Sequence, residues 1–418
     1  MDKIPGQIKV WMRSLSSQKN LLKYAGLIIL GIAFLFLVNL IVAHNIIGGL
    51  DFFVKWSSVN HLRNEQINPY SSQAFQLVSE KAEDTIYLPL SGNNSFNAPI
   101  YSLFIYYPFS VIHNFEIARA LWMTGLCILL VLSLRRQGIL SNIVKDKKIE
   151  TFLVIFILTN IFSLISILSG ELIIISFSLI LLAFQQFQKG NYELAGIFCG
   201  LATLNPGLAL FCMAVLSILS LRDGKGGFII WFLITTGLLV FSGFLILDNW
   251  SIQYLQSIVR LLKNILSDLN LGLENPSQVV KIVLPLLFLL IEWIRSFNGI
   301  DQPDKINWLF NFTLVLFALS FGSLVPHLYI LFIPAWFQVF SEWEKRDNSN
   351  AKTIGFINLS IYLGLTVIML FLDSGILVKQ SQFPEILFWF TGFHLVLNMY
   401  WIRGWLYQDT MRNFIKTE

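Results

Sequence analysis

The sequence predicts an all-α membrane protein, a polytopic transmembrane helix bundle of about twelve segments. Of its 418 residues 55 % are apolar and only 13 % are charged, against roughly 25 % charged in soluble proteins. Apolar runs recur along the whole chain, and Lys and Arg collect in alternate turns between them. The mean hydropathy of +0.67 excludes a soluble globule, and the net charge of +4 gives no indication of nucleic-acid binding.

The first apolar run, residues 24–43, has the ~20 residues that a spanning helix needs. It follows five basic residues and has no small-residue cleavage site behind it, so we expect a retained first helix after a cytoplasmic segment, residues 1–23. Eleven further runs are predicted to form helices. They cover 117–134, 151–169, 171–188, 194–204, 208–221, 228–247, 279–295, 308–324, 328–341, 354–372 and 386–402.

The distribution of basic residues predicts the orientation of the bundle. With the N-terminus inside, most of the 29 Lys and Arg residues fall in cytoplasmic turns, as the positive-inside rule expects. Both termini are then cytoplasmic, with residues 342–418 forming the last helices and a tail. The apolar segment 99–112 has only about 14 residues and contains Pro108, so it is predicted to be a partial span. A full span there would place the basic turn 135–150 outside.

Three irregular features are predicted to lie on the outer side of this multi-pass protein of the cell membrane. Segments 44–98 and 248–278 are too long to be turns and should be structured. Residues 202–207, Ala-Thr-Leu-Asn-Pro-Gly, break an apolar run into two short helices. Irregular backbone at membrane depth is tolerated around protein-lined cavities, and broken helices commonly mark binding sites. The sequence therefore predicts an outward-facing site.

Asp51 is the first candidate for chemistry, because it follows the outer end of the first helix and precedes Phe-Phe-Val-Lys-Trp. A partly dehydrated carboxylate beside a cavity could act as a general base. An Asp at this place also suits the N-cap of a helix that begins at Phe52. From the residues alone both interpretations stay open.

The three cysteines, Cys127, Cys199 and Cys212, lie inside apolar runs. They offer neither an external disulfide pair nor metal-ligand spacing. No metal site and no cofactor are therefore predicted.

The order of residues in the first outer segment resembles a known enzyme family. Asp51 follows the first transmembrane helix, a short aromatic helix comes next, and Asn68-Pro69-Tyr70 and Phe96-x-x-Pro99 complete the pattern. This order is similar to that of the polyprenyl-phosphate-dependent glycosyltransferases of the GT-C fold, and most similar to the GT87 family of polyprenyl-phosphate-mannose-dependent mannosyltransferases.

Further motifs extend the resemblance over residues 24–340. They are Ser169-Gly170-Glu171, Ala195-Gly196-x-x-x-Gly200-Leu201-Ala202, and Pro326-His327 followed by Pro334. Two positions depart from the family pattern. Asn205 stands where many relatives carry Lys, and Ala98 replaces the first residue of a Pro-Pro pair.

The resemblance implies that residues 24–341 form a catalytic core of GT-C type. Its activity would be the transfer of a hexose such as mannose from a polyprenyl-phosphate donor to an outward-facing glycan or glycolipid acceptor. The protein itself would be surrounded by membrane lipids. Asp51 would be the general base, and inversion at the anomeric carbon would follow. A polyprenyl-phosphate sugar already carries its leaving group, so cations must stabilise the departing phosphate.

Cationic residues on the outer side are the candidates for binding the donor phosphate. They are His327, Arg260, Lys263, Arg63 and Lys55. A second group is assigned to the sugar or acceptor pocket. It comprises Trp56, Asn68, Tyr70, Glu171 and Asn205.

Each of these assignments has an alternative. The imidazole of His327 could form hydrogen bonds with interfacial water. Arg260 and Lys263 could bind anionic headgroups. Glu171 could make a structural hydrogen bond, and Asn205 could cap a helix. The aromatic residues between 96 and 109 are interpreted mainly as an interface belt and helix packing.

Two other classes of function remain open for the whole chain. A transporter or lipid flippase also uses broken helices and intramembrane carboxylates, although matching halves are expected there and this sequence has one long loop near its start. A non-catalytic membrane subunit would leave Asp51 dispensable.

Overall fold

The computed structural model describes residues 6–86, 96–136, 147–268, 276–296, 303–322, 325–346, 349–372 and 385–417. Within these ranges the secondary structure is helical, which confirms the all-α prediction. The α-helices are α1 (Gly6–Asn45), α2 (Leu50–Glu65), α3 (Ser72–Ile86), α4 (Leu103–Ser110), α5 (Phe115–Arg136), α6 (Lys147–Thr159), α7 (Ile161–Ser169), α8 (Ile173–Gln188), α9 (Tyr192–Leu201), α10 (Pro206–Arg222), α11 (Gly227–Phe244), α12 (Trp250–Asp268), α13 (Pro276–Ser296), α14 (Pro303–Phe321), α15 (Ile333–Glu344), α16 (Ser349–Leu372) and α17 (Glu385–Thr417). Short 3₁₀ helices cover Ile100–Ser102, Ala202–Leu204 and Pro326–Phe332.

Each of the twelve apolar runs coincides with helical structure in its described part. Among the described residues, three helical segments are long and apolar enough to cross a membrane by themselves: Ala25–Asn45, Phe115–Arg135 and Gly227–Phe244. A bent pair, Ile149–Thr159 with Ile161–Ser169, is a fourth candidate. The structure thus supports a helical membrane protein, while twelve crossings remain a prediction of the sequence.

The bend between α6 and α7 differs from the sequence prediction, in which 151–169 is one continuous run. The two helices meet at 53° around Asn160, which is buried. Its side-chain amide donates to the carbonyls of Phe156 and Ile157, while its side-chain oxygen accepts from the backbone N–H of Ser163 at 3.0 Å. One asparagine thus satisfies backbone groups at both helix ends.

The predicted partial span is a 3₁₀ turn followed by α4, which has eight residues and contains Pro108. At 1.5 Å per residue such a helix measures about 12 Å, far less than the ~30 Å hydrocarbon core. The short element agrees with the interpretation of 99–112 as a partial span.

The broken helix at 202–207 is confirmed. α9 passes through a 3₁₀ turn into an extended residue, Asn205, whose side chain caps α10 by accepting from the N–H of Leu208. The hydroxyl of Tyr192 at the start of α9 lies 3.4 Å from a carboxylate oxygen of Asp223 just after α10. The chain therefore returns to the side of the bundle from which it came.

Both long segments that are predicted to be outer contain helices: α2 and α3 in 44–98 and α12 in 248–278. Residues 87–95 and 269–275 lie outside the described ranges. The amide of Asn68 donates to Gln253 at 2.8 Å, and the ring of Tyr70 packs against that of Tyr254. The two segments thus pack against each other.

Candidate functional site

Asp51 is positioned by a glycine turn between α1 and α2. Gly49 has a φ of +81° and is the N-cap of α2, which begins at Leu50. A positive φ favours glycine, since a Cβ clashes in this region. The alternative in which Asp51 caps a helix starting at Phe52 is wrong, because the helix begins two residues earlier and Asp51 lies inside its first turn. The Asp51 side chain is 30 % exposed.

Glu171 is positioned by a second glycine turn, between α7 and α8. Gly170, with a φ of +76°, ends α7 in a left-handed conformation. A Cβ on Gly170 would lie 2.5 Å from the Cβ of Phe52, so the close approach of this turn to α2 requires glycine. Glu171 follows immediately and thereby comes to the side of Asp51.

His327 reaches the same place from the 3₁₀ helix Pro326–Phe332. Its side chain is buried, and its Nε2 lies 3.3 Å from Glu171 Oε1. Lys55, one turn beyond Asp51 on α2, is also buried and places its Nζ 3.8 Å from Asp51 Oδ1. We refer to Asp51, Lys55, Glu171 and His327 as the Asp51 cluster.

The electrostatics of the cluster suit a base that works near neutral pH. The pKa of Asp51 is raised to about 7, mainly by burial and then by the neighbouring Glu171 carboxylate, which also shares a hydrogen bond with it. Lys55 and His327 act in the opposite direction. A base whose pKa lies near the working pH is effective in proton transfer.

Asp51, Glu171 and His327 could together hold a divalent cation, since one ligand atom from each lies within 4.8 Å of the others. This set is not apparent from the sequence, because its members are far apart along the chain. The ammonium of Lys55 already provides positive charge beside Asp51. A metal ion bound there would be repelled by this ammonium, whereas an anionic group would be attracted by it.

Tyr106 is a further residue of the site that sequence reasoning assigned to packing. It is fully buried, and its ring lies 4.7 Å from that of Trp122. The charges of Glu171 and Asp51 both act on its hydroxyl. This hydroxyl is therefore a potential hydrogen-bond donor to the carboxylates. Its position in an aromatic segment gave no signal of this role.

Asn205 lies at the same end of α8 as Glu171, because its backbone N–H donates to the hydroxyl of Ser176 in the first turn of α8. Its side chain acts as a helix cap, which is the structural alternative considered from the sequence. The broken helix thus ends near the cluster.

Three other predicted pocket residues are packed within residues 44–98. The Trp56 indole donates to the carbonyl of Phe109 at 3.0 Å, and the ammonium of Lys81 covers its ring. Tyr70 donates its hydroxyl to the carbonyl of Ala98, and Asn68 accepts from the N–H of Tyr70. These contacts describe scaffold residues, and a sugar contact by any of the three remains a prediction.

Three predicted phosphate ligands lie on exposed or half-exposed surfaces. Arg63 bonds to its neighbour Asn64 near the end of α2. Arg260 and Lys263 are exposed on α12, close in sequence to large exposed apolar side chains that include Leu255 and Val259. This setting is typical of a helix at a membrane interface and favours the headgroup interpretation for α12.

Comparison with known protein families, with curated proteins and with solved structures gives no significant match for this chain.

Proposed function

We propose that this protein is a membrane glycosyltransferase of GT-C type that transfers a hexose, such as mannose, from a polyprenyl-phosphate donor to an acceptor glycan or glycolipid. The observation that carries the proposal is the convergence of Asp51, Lys55, Glu171 and His327. Each was selected from the sequence for this chemistry, and three separate elements bring them together.

Asp51 is the base in this proposal. It takes the proton of the acceptor hydroxyl while that oxygen forms a bond to the anomeric carbon of the sugar. The bond from the anomeric carbon to the phosphate oxygen breaks, and its electron pair leaves with polyprenyl phosphate. Attack from the face opposite the leaving group inverts the anomeric configuration.

His327 and Lys55 are the favoured partners of the donor phosphate. Each is buried and lies beside a carboxylate, so each is held at the site before substrate arrives. A charged hydrogen-bond donor held in place stabilises the negative charge that develops on the leaving phosphate. Lys55 is therefore a better candidate for binding the donor phosphate than the exposed Arg260 and Lys263.

The broken helix between α9 and α10 also favours a transporter or lipid flippase as the alternative. The two functions are separated by incubating the purified protein in lipid nanodiscs with radiolabelled polyprenyl-phosphate sugars and a glycolipid extract. Covalent transfer of label to acceptor, lost in Asp51→Asn, supports the proposal. Absence of transfer with every sugar, together with movement of labelled lipid across proteoliposome membranes, overturns it.

A further inference from the structure

Arg119 is a buried cation on α5 whose hydrogen-bond acceptors are backbone carbonyls. It is 2 % exposed and donates to the carbonyls of Ala43 at 3.4 Å, Ile46 at 2.8 Å and Leu168 at 3.2 Å. A buried charge is expensive unless it is compensated. The groups around Arg119 must therefore compensate its charge.

The three carbonyls belong to the ends of two helices. Ala43 is in the last turn of α1, Ile46 directly follows α1, and Leu168 is in the last turn of α7. The final carbonyls of a helix have no intrahelical partner and carry partial negative charge. The guanidinium of Arg119 satisfies both helix ends at once, and its own charge is compensated there.

These two helix ends lead directly into the turns that carry the carboxylates of the Asp51 cluster. A Cβ on Gly49 would lie 2.6 Å from Arg119 Nε, so the turn before Asp51 runs against the guanidinium. Glu171 lies three residues beyond Leu168. Trp122, one turn further along α5, donates its indole N–H to the carbonyl of Gly170 at 3.0 Å.

We infer that Arg119, together with Trp122, is a positioning residue that fixes the Asp51 and Glu171 carboxylates at the separation that the proposed transfer reaction needs. The inference rests on the proposed function for its catalytic consequence, while the separation itself can be measured without any activity. Arg119 does not touch substrate in this scheme.

The geometry explains why arginine is required. The planar guanidinium has five N–H donors in a rigid fork and reaches both helix ends from one position. A Lys ammonium at the same place keeps the charge but is a point donor on a flexible stem. It can satisfy the end of α1 or that of α7, and the turn left unbound becomes free to move.

The separation can be tested by cross-linking. In the double variant Asp51→Cys, Glu171→Cys, a short bifunctional thiol reagent should join the two positions, since the three native cysteines are buried. Adding Arg119→Lys should slow cross-linking at least tenfold. Trp122→Phe, which keeps a ring and removes the N–H, should slow it less. Unchanged rates in both backgrounds overturn the inference.

The pH profile of transfer provides the second readout. Asp51 faces Lys55 on its own helix, Glu171 from the α7–α8 turn, His327 from a 3₁₀ helix and Tyr106 from α4. When Arg119→Lys allows the carboxylates to separate, Glu171 no longer raises the pKa of Asp51. The acid limb of kcat/KM should therefore move to lower pH. We expect kcat to fall at least tenfold with KM within about twofold. An unmoved acid limb contradicts the inference.

Arg403→Lys is the matched control, because Arg403 is a mostly buried cation that bonds to Glu292 at 2.7 Å in another part of the bundle. It should leave the cross-linking rate and the acid limb unchanged. If cross-linking responds to Arg119→Lys but the parent transfers no sugar, the proposed function fails and the positioning by Arg119 stands. If the parent transfers sugar and cross-linking does not respond, the positioning fails alone.

Discussion

His327 Nε2 lies 3.3 Å from Glu171 Oε1, although the two residues are far apart in the sequence. The histidine is buried and comes from a 3₁₀ helix that begins at a proline. The glutamate comes from the glycine turn that packs on α2. The pair holds the imidazole next to Asp51 before any substrate binds, so the proposed phosphate donor would need little reorganisation of the site.

The first prediction concerns the donor phosphate. His327→Ala and Lys55→Met should each lower kcat/KM tenfold or more, where each factor of ten is worth ~1.4 kcal/mol, because each removes a buried cationic or donor group beside the reacting phosphate. Both should also weaken binding of the product polyprenyl phosphate, measured by titration.

Arg260→Ala is the control for that experiment, since Arg260 is exposed on α12. It should change product binding by less than about twofold. If Arg260→Ala weakens the product as much as His327→Ala does, the phosphate lies closer to α12 than we propose.

The second prediction concerns Asp51→Asn, which keeps the shape of the side chain and removes the base. Turnover should fall by ~10²–10⁴, as is usual on loss of general base catalysis. Donor binding should hardly change, because the phosphate partners remain. Near-normal turnover with a verified acceptor would contradict the role of Asp51 and would favour a non-catalytic subunit.

The third prediction is a stability effect of opposite sign to the loss of activity. The pKa of Asp51 is raised from 3.8 to about 7, so the folded protein favours the protonated form. The contribution of protonated Asp51 to the free energy of unfolding is fully present below pH 4 and is lost as the pH rises through 7. Asp51→Asn should therefore raise the Tm relative to the parent at pH 8 but not at pH 4, measured by thermal unfolding in detergent. A difference that does not depend on pH would contradict the raised pKa.

The helical segments could be predicted from the sequence because their signal is local. Every apolar run recurs as helix, and the break at Asn205 was visible as Asn-Pro-Gly between two runs. The bend at Asn160 was missed, because a single buried asparagine inside an apolar run carries no local breaker pattern. Its effect depends on side-chain bonds to both helix ends.

The site could be predicted only in part. Asp51, Lys55, Glu171 and His327 were all selected from residue type and position. That these four meet, while Arg260 and Lys263 stay exposed on α12, depends on packing between distant segments. Arg119 and Tyr106 were missed because both lie in apolar stretches, where their neighbours in sequence say nothing about carbonyls or carboxylates contributed by other helices.

The fourth prediction concerns metal dependence. Asp51, Glu171 and His327 have the geometry to bind a cation, but Lys55 places positive charge 3.8 Å from Asp51. Transfer should therefore continue after chelation with EDTA and dialysis, within about twofold of the untreated protein. A loss of activity that Mn²⁺ or Mg²⁺ restores would show that a metal ion takes the place that we assign to Lys55 and His327.

The fifth prediction concerns topology. Because α4 is too short to span, α3 and the start of α5 should lie on the outer side and the basic turns inside. The contact between Tyr192 and Asp223 joins two of these turns, so Lys189 and Lys225 must share one side.

Single Cys substitutions at the exposed residues Asp84 and Lys225 should react from opposite sides of intact cells or oriented vesicles, with little background because the native cysteines are buried. Asp84→Cys should react with an impermeant thiol reagent added outside, and Lys225→Cys only after the membrane is opened. If both react from outside, the segment 99–112 crosses the membrane fully and the Asp51 cluster must be reassigned relative to the two faces.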